Sequence, residues 1–346
     1  MNHTTSGSFK TGKIKLNLNR SAKLFLQRFS VIVFIVLSLF LMFISRNDSQ
    51  FSTNVRMKII DTTTFFKENL MMEVRFNILN KYVDYFIVCE SRFSHSGNKK
   101  KLYFNINDYK DFKKKIIYII LDHEPANLVN SSKKDTINER LNSIKRIAHQ
   151  RDEIKTKLNY FSPNDFILHS DNDEIPNLEN INFENENNKI LIFKQKIYYY
   201  KFNLFLPNVN WFGTKGCKVS EFKSSTWLRE VKNKKYNFFR FDTFFSDFKY
   251  QNVKIVENGG WHFSNLKSIE GLRDKYLNDE NHADYSDVMS IDNISNDIKN
   301  WEIGYDHNQD KKSISKLKKI KLIKEEKYNL PSYIKNNFVK YSDWVV

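Results

Sequence analysis

The chain has 346 residues, room for one large domain or two small ones, and its nine glycines and five prolines exclude a fibrous or linker-rich protein. Two cysteines exclude a disulfide framework and a cysteine-based metal site. The formal net charge is +16, but residues 1–46 (seven Lys or Arg, no acid) and 311–327 (eight Lys against Glu325 and Glu326) carry 13 of those charges, which leaves the body near neutral and excludes a nucleic-acid footprint spread over a folded face.

The first element in chain order is the run Phe29–Ser45, 17 residues without a charge. At about 1.5 Å per residue it covers roughly 25 Å, close to a hydrocarbon core of about 30 Å. No small-residue cleavage site follows Ser45, so residues 29–46 read as one uncleaved transmembrane signal-anchor. Six basic residues precede the run and only Arg46 follows closely, beside Asp48. The expected orientation puts residues 1–28 in the cytosol and everything after about 47 on the lumenal or periplasmic side.

A first strand is expected from Val55 through "IIDTTTFF", and a helix after it with Leu70, Val74, Ile78 and Leu79 at helical spacing. "VDYFIVCE" (83–90) and "KKIIYIILD" (to Asp122) read as strands buried on both faces, with Cys89 a buried thiol whose pairing with Cys217 stays open. Residues 138–158 read as one helix with Leu141, Ile144, Ile147, Ala148 and Ile154 on one side. "DFILHSDNDE" is the next buried strand. Strands that alternate with helices predict a parallel α/β sheet. Beyond residue 189 the texture turns to long, aromatic, β-branched segments, with a turn at Gly259-Gly260 and an amphipathic helix carrying Ile269, Leu272 and Tyr276.

The acids at 171–174 call for an explanation. Ligands of open α/β sheets bind beyond the carboxyl ends of the strands. On an extended segment Asp171 and Asp173 point the same way, and two carboxylates on one side suit a hard divalent cation that bridges protein to phosphate. The same letters also fit a solvated loop. A helix cap is less apt, since Pro176 and Asn177 favour a turn, and an EF-hand is excluded by Ile175 and Pro176 at its fifth and sixth positions. Upstream, Arg151 of "HQRDEI" is placed to reach a phosphate or to pair with these acids, or to lie on the surface.

In collinear order over about residues 57–344, the blocks "IIDTTTFFKENLMMEVRFNIL", "VDYFIVCES" with "SHSG", "QRDEI", "SDNDEIPN", "GGWHFS", "NHADY" and "LPSYI" together resemble glycosyltransferase family 17. The resemblance implies a glycosyltransferase A-like fold: a mixed, mainly parallel sheet flanked by helices, as one catalytic domain over 57–346 after a short stem at 47–56. It implies an inverting type II membrane enzyme that transfers N-acetylglucosamine from UDP-GlcNAc to a sugar of an N-glycan-like or surface glycan. It further implies that Asp171 and Asp173 hold Mn²⁺ or Mg²⁺ and the donor, with His262 as a third metal ligand and Arg151 and Trp261 on the donor. His262 and Trp261 equally fit structural roles on a strand. A general base is needed beside the acceptor hydroxyl, and Glu174, Asp284, Glu73 and Glu90 are its candidates, Glu174 and Asp284 foremost. Asp152 departs from the family's Asn after Gln-Arg, and Asp284 stands where a Glu is expected. The rival expectations are a membrane-anchored carbohydrate-binding protein without catalysis and a sugar nucleotidyl- or phosphotransferase.

Overall fold

The computed structural model describes residues 34, 38, 56–131, 136–237, 239–278, 290–304 and 319–346. Among the described residues no helix is long and apolar enough to cross a membrane. The predicted anchor at 29–46 lies outside them, apart from the helical Phe34 and Ser38. Met57–Val346 forms one compact unit.

The unit is a mixed α/β sheet flanked by helices. Strands β1 (Ile59–Phe65), β2 (Tyr85–Ser91), β3 (Ile116–Leu121) and β4 (Phe166–His169) are parallel, in the spatial order β3-β2-β1-β4. Beyond β4 the sheet turns antiparallel through β8 (Trp211–Lys218) to the long β6 (Ile190–Tyr199). On its other side β6 pairs in parallel with β9 (Val253–Val256) and then β10 (Gly260–Ser264). β5 (Glu174–Pro176) runs antiparallel to β10. Short strands β7 (Leu204–Phe205) and β13 (Ile323–Lys324) extend the edge, and β11 (Glu302–Ile303) with β12 (Ile320–Lys321) makes a separate ribbon.

Alternation along the parallel strands sorts their side chains between two cores. Ile59, Phe86, Val88, Phe166 and Leu168 face one layer, built with Met71, Met72, Phe76 and Leu79 of helix α1 (Asn69–Leu79). Ile60, Ile87, Cys89 and Ile167 face the other, with Ile154, Leu158, Trp227 and Leu228. That is why β2 and β4 open as nearly continuous apolar runs: both faces are covered. Helix α2 (Thr136–Asp152) precedes β4, and helix α3 (Ser225–Glu230) follows β8. Helices α4 (Ile269–Asn278) and α5 (Ile291–Lys299) build a third cluster through Leu272, Tyr276 and Ile294 around Ile197 and Tyr199. Helix α6 (Ser332–Asn336) adds Ile334 to the first.

Two expectations change, and the pairing of the cysteines, left open by the sequence, is decided. Among the described residues β3 is an edge strand, paired only with β2, and Ile120 is exposed. The helix expected over 138–158 ends at Asp152 and passes into a 3-10 segment, Glu153–Tyr160, and its Leu141 and Ile144 lie exposed while Ile147 and Ile154 are buried. Cys89 on β2 and Cys217 on β8 are both buried free thiols. Three strand spacings of about 4.8 Å separate them, well over the roughly 7 Å that a disulfide spans.

Candidate active site

The acids sit where β4 reaches the carboxyl rim of the sheet, at the point where the pairing changes from β1 on one side to β8 on the other. The segment is not extended there. Glu174 N donates to Asp171 O at 3.0 Å and closes a tight turn over 171–174. Asp171 and Asp173 therefore meet different partners, and the reading of two carboxylates on one side of a strand is corrected.

A buried arginine makes that turn. Arg75 of α1 is fully enclosed, and its Nε and Nη2 pair with Asp61 of β1 at 2.7 and 2.6 Å. Nη2 also reaches Ser170 Oγ at 2.7 Å, while Nη1 donates to the carbonyls of Asp171 at 3.1 Å and Glu174 at 2.8 Å. A guanidinium presents five donors in a rigid fork, which suits it to gather several carbonyls at once. Glu68 supports the turn from its other side: its carboxylate accepts from Asn172 Nδ2 at 2.7 Å and pairs with Lys267 Nζ at 2.9 Å.

Asp171 lies between two more arginines. Arg151, at the end of α2, spans both its oxygens at 2.8 and 3.0 Å, and Arg229 of α3 meets Oδ2 at 3.1 Å. Burial would raise the Asp171 carboxyl, but the two guanidiniums outweigh it and hold it far below the usual range. Arg229 also grips Glu174 through Nη1 and, at 3.2 Å, Nη2. The remaining acceptor directions of Glu174 take Trp211 Nε1 at 2.8 Å and the Asp171 N–H at 2.9 Å. Glu174 is thus buried with both oxygens engaged, and it holds Arg229 in place. A side chain on Gly213 would collide with this acid, its Cβ 2.8 Å from Glu174 Cδ. Lys215 of β8 donates to the carbonyls of Arg229 and Val231 and so fixes the end of α3. Burial, and then the nearby Arg229, push its ammonium down to about 7.

Asp173 faces the other way. The β5–β10 pairing sets His262 opposite Glu174, and Phe263 N donates to Asp173 O at 2.8 Å. This brings His262 Nε2 to 3.5 Å from Asp173 Oδ1. His262 Nδ1 is buried without a partner among the described residues, and the Trp211 ring covers the imidazole at 4.7 Å between centroids. The Asp173 carboxyl, which burial alone would raise, is held low chiefly by His262.

Of the residues read from sequence, Arg151, Asp171, Asp173, Glu174 and His262 converge at this rim. Trp261 does not: successive strand residues face opposite sides, and its Nε1 donates to Asn329 O at 3.1 Å while the ring packs on the core. The tryptophan of the site is Trp211. Asp284 lies outside the described residues. Glu90 is fully occupied by Lys100, Tyr118 and the N–H groups of Tyr103 and Phe104. Glu73 is taken by Tyr333, Lys340 and Tyr341 of the C-terminal segment. Arg75, Arg229 and Trp211 were missed. Arg75 left a signal, a charge on the apolar stripe of α1; Arg229 and Trp211 come from short segments with no periodicity.

Among the described residues no three His, Cys, Asp or Glu side chains form a cation site. The expected ligand set fits in part. Ligands about 2.1 Å from one ion lie roughly 3 Å apart when adjacent, near the spacing of Asp173 Oδ1 and His262 Nε2. Asp171 does not fit, because both its oxygens already face guanidinium groups.

The family model described as glycosyltransferase family 17 matches residues 47–342. No curated protein matches the chain. Among solved structures the chain is similar to the crystal structure of HddC from Yersinia pseudotuberculosis at 9% identity, with 59% of this chain and 92% of that one covered and a TM-score of 0.27. The same protein complexed with GMP-PN gives 9% identity, 58% and 91% coverage and a TM-score of 0.27. Likenesses of that size carry no argument here.

Proposed function

Because the chain belongs to glycosyltransferase family 17, we propose that this glycosyltransferase transfers N-acetylglucosamine, with inversion, from UDP-GlcNAc to a mannose or another sugar of a glycan acceptor. Residues 29–46 would anchor it in a membrane, with 1–28 cytosolic and 57–346 lumenal or periplasmic. The observation that carries the reading is the set of charges at the rim of β4. Two guanidinium groups converge on Asp171, next to a carboxylate and an imidazole on Asp173 and His262.

In the reaction the bond from the anomeric carbon to the β-phosphate oxygen breaks, and a bond to the acceptor oxygen forms on the opposite face. UDP leaves with the bonding electron pair. Arg151, the more exposed of the two arginines at 21%, turns from Asp171 toward the diphosphate; Arg229 stays with Glu174. Preformed cations aimed at developing charge are among the largest catalytic terms. Asp173 and His262 would hold Mn²⁺ or Mg²⁺, which would supply further positive charge against the leaving diphosphate. The acceptor's proton goes to a carboxylate base. Of the four acids named from sequence, Glu174, Glu73 and Glu90 are committed to other partners, which leaves Asp284 as the candidate for this role.

The test is a UDP-release assay on the full chain with UDP-GlcNAc, Mn²⁺ and candidate glycans. Asp173→Ala should abolish release with an unchanged circular-dichroism spectrum. Arg151→Ala should lower kcat by about 10²–10³-fold, and Asp284→Asn by about 10²–10⁴-fold. Full activity in Asp173→Ala sinks the assignment. Glycan binding without turnover would instead mean a binding protein, and pyrophosphate release a nucleotidyltransferase.

A further inference from the structure

One surface of the 57–346 unit inverts the usual ordering of apolar and polar side chains. The 3-10 turn Phe241–Phe245 buries its threonine and exposes its rings: Phe241 is 67% exposed, Phe244 67% and Phe245 92%. The inversion is held in place. Thr243 Oγ1 donates to Arg240 O at 2.7 Å and accepts from Gln251 Nε2 at 2.9 Å. Single exposed apolar residues are ordinary, but three rings within five residues form a patch that calls for an occupant.

The surroundings are basic. Residues 232–250 contain four lysines and one arginine against Asp242 and Asp247, a net +3. Arg240 and Lys249 share Asp242 at 2.8 and 2.9 Å, while Lys232, Lys234 and Lys235 stand exposed. The base of the loop is closed by Lys232 N to Phe248 O at 2.8 Å, so the lysines and the rings belong to one small excursion from the fold.

We propose that this loop is a membrane-contact site: Phe241, Phe244 and Phe245 enter the interfacial layer of an anionic bilayer, and Lys232, Lys234 and Lys235 lie against headgroup phosphates. Apolar rings at the tip with cations behind them are the arrangement that binds such a surface, and each lysine adds to the attraction within a Debye length. The charge argues against the other occupants. A second copy would set +3 against +3. A sugar ring needs hydrogen-bond partners for its hydroxyls beside any stacking ring, and the phenylalanines offer none. The inference rests on exposure and charge alone and stands independently of the transferase reading. The contact follows closely on α3, whose Arg229 organises the site, and so sets how the donor rim faces the membrane.

The test is amide hydrogen exchange of the full chain in nanodiscs, read on peptides covering 239–250. Discs of phosphatidylcholine and phosphatidylglycerol at 3:1 should slow exchange there by about fivefold or more relative to phosphatidylcholine alone. The triple variant Phe241→Ser, Phe244→Ser, Phe245→Ser should lose that protection and keep the wild-type circular-dichroism spectrum and melting temperature. Exchange that does not depend on the lipid, or that depends on it equally in the triple variant, overturns the proposal. So does protection that appears only with added oligosaccharide, an acidic protein or a higher protein concentration.

Discussion

The carboxylates around the 171–174 turn are fixed by cations that differ from one acid to the next: Asp171 by Arg151 and Arg229, Glu174 by Arg229, Asp61 by Arg75, Glu68 by Lys267. Such pairs tie stability to pH. Burial would raise the Glu68 carboxyl, yet Lys267, with help from Lys275, brings it to about 2, below its ordinary 4.5. The folded value is the lower one, so the unfolded chain binds the proton more readily. The stabilisation is complete above pH 4.5 and is lost as pH falls from there through about 2. With Glu68 only 12% exposed, it amounts to something on the order of 2–3 kcal/mol. Urea unfolding of wild type and Glu68→Gln should show the variant less stable at pH 7, with the gap closing between pH 4.5 and 2. A gap that stays constant across that range would mean that Glu68 acts through its hydrogen bonds to Asn172 and the backbone alone.

At the scale of elements, what positions the site is the β5–β10 pairing, and it depends on one glycine. Gly260 has φ of +124°, and a Cβ there would lie 2.2 Å from Ile175 O. Gly260→Ala must push β10 off β5, which should cost about 1–3 kcal/mol. The same shift separates His262 from Asp173, so turnover should fall further than thermal stability does, a contrast that melting and UDP-release assays can resolve. This turn was legible as "GG" between two strand patterns, and β2, β3 and β4 were legible from their apolar runs, while β1 was read from its β-branched Ile59 and Ile60 although Asp61 and three threonines follow. The 171–174 turn was not legible. Nothing local marks that a helix 96 residues earlier supplies Arg75 to its carbonyls, and without that knowledge a D-x-D segment reads as extended. Trp261 was misplaced for a readable reason: strand alternation already sets it opposite His262. Trp211 and Arg229 lie on a strand and a six-residue helix whose facing is decided only when β8 pairs with β4 and β6.

At the scale of the whole molecule, the site rests on a fastening far from it in sequence. Glu73 and Arg75 are two residues apart on α1. Arg75 reaches inward to the 171–174 turn, and Glu73 takes the hydroxyls of Tyr333 and Tyr341, each at 3.1 Å, and the ammonium of Lys340. The chain end is tied down as well, with Asn203 bonded to both the N–H and the carbonyl of Val346 and Phe202 N to Trp344 O. Tyr341 is buried against Phe202 and joins these two ties. Tyr341→Ala removes a buried ring and should cost about 3–5 kcal/mol, lowering Tm by roughly 5–8 °C. Because the Glu73 anchor of α1 then loses one of its three partners, the carbonyls gathered by Arg75 loosen too, and kcat should fall together with Tm. Tyr341→Phe keeps the ring and loses only the hydroxyl, so it should cost about 1–2 kcal/mol and leave most of the turnover. A Tyr341→Ala chain that melts early but turns over normally below its transition would show that α1 is held from the sheet side alone, and that the C-terminal segment stabilises the fold without reaching the site.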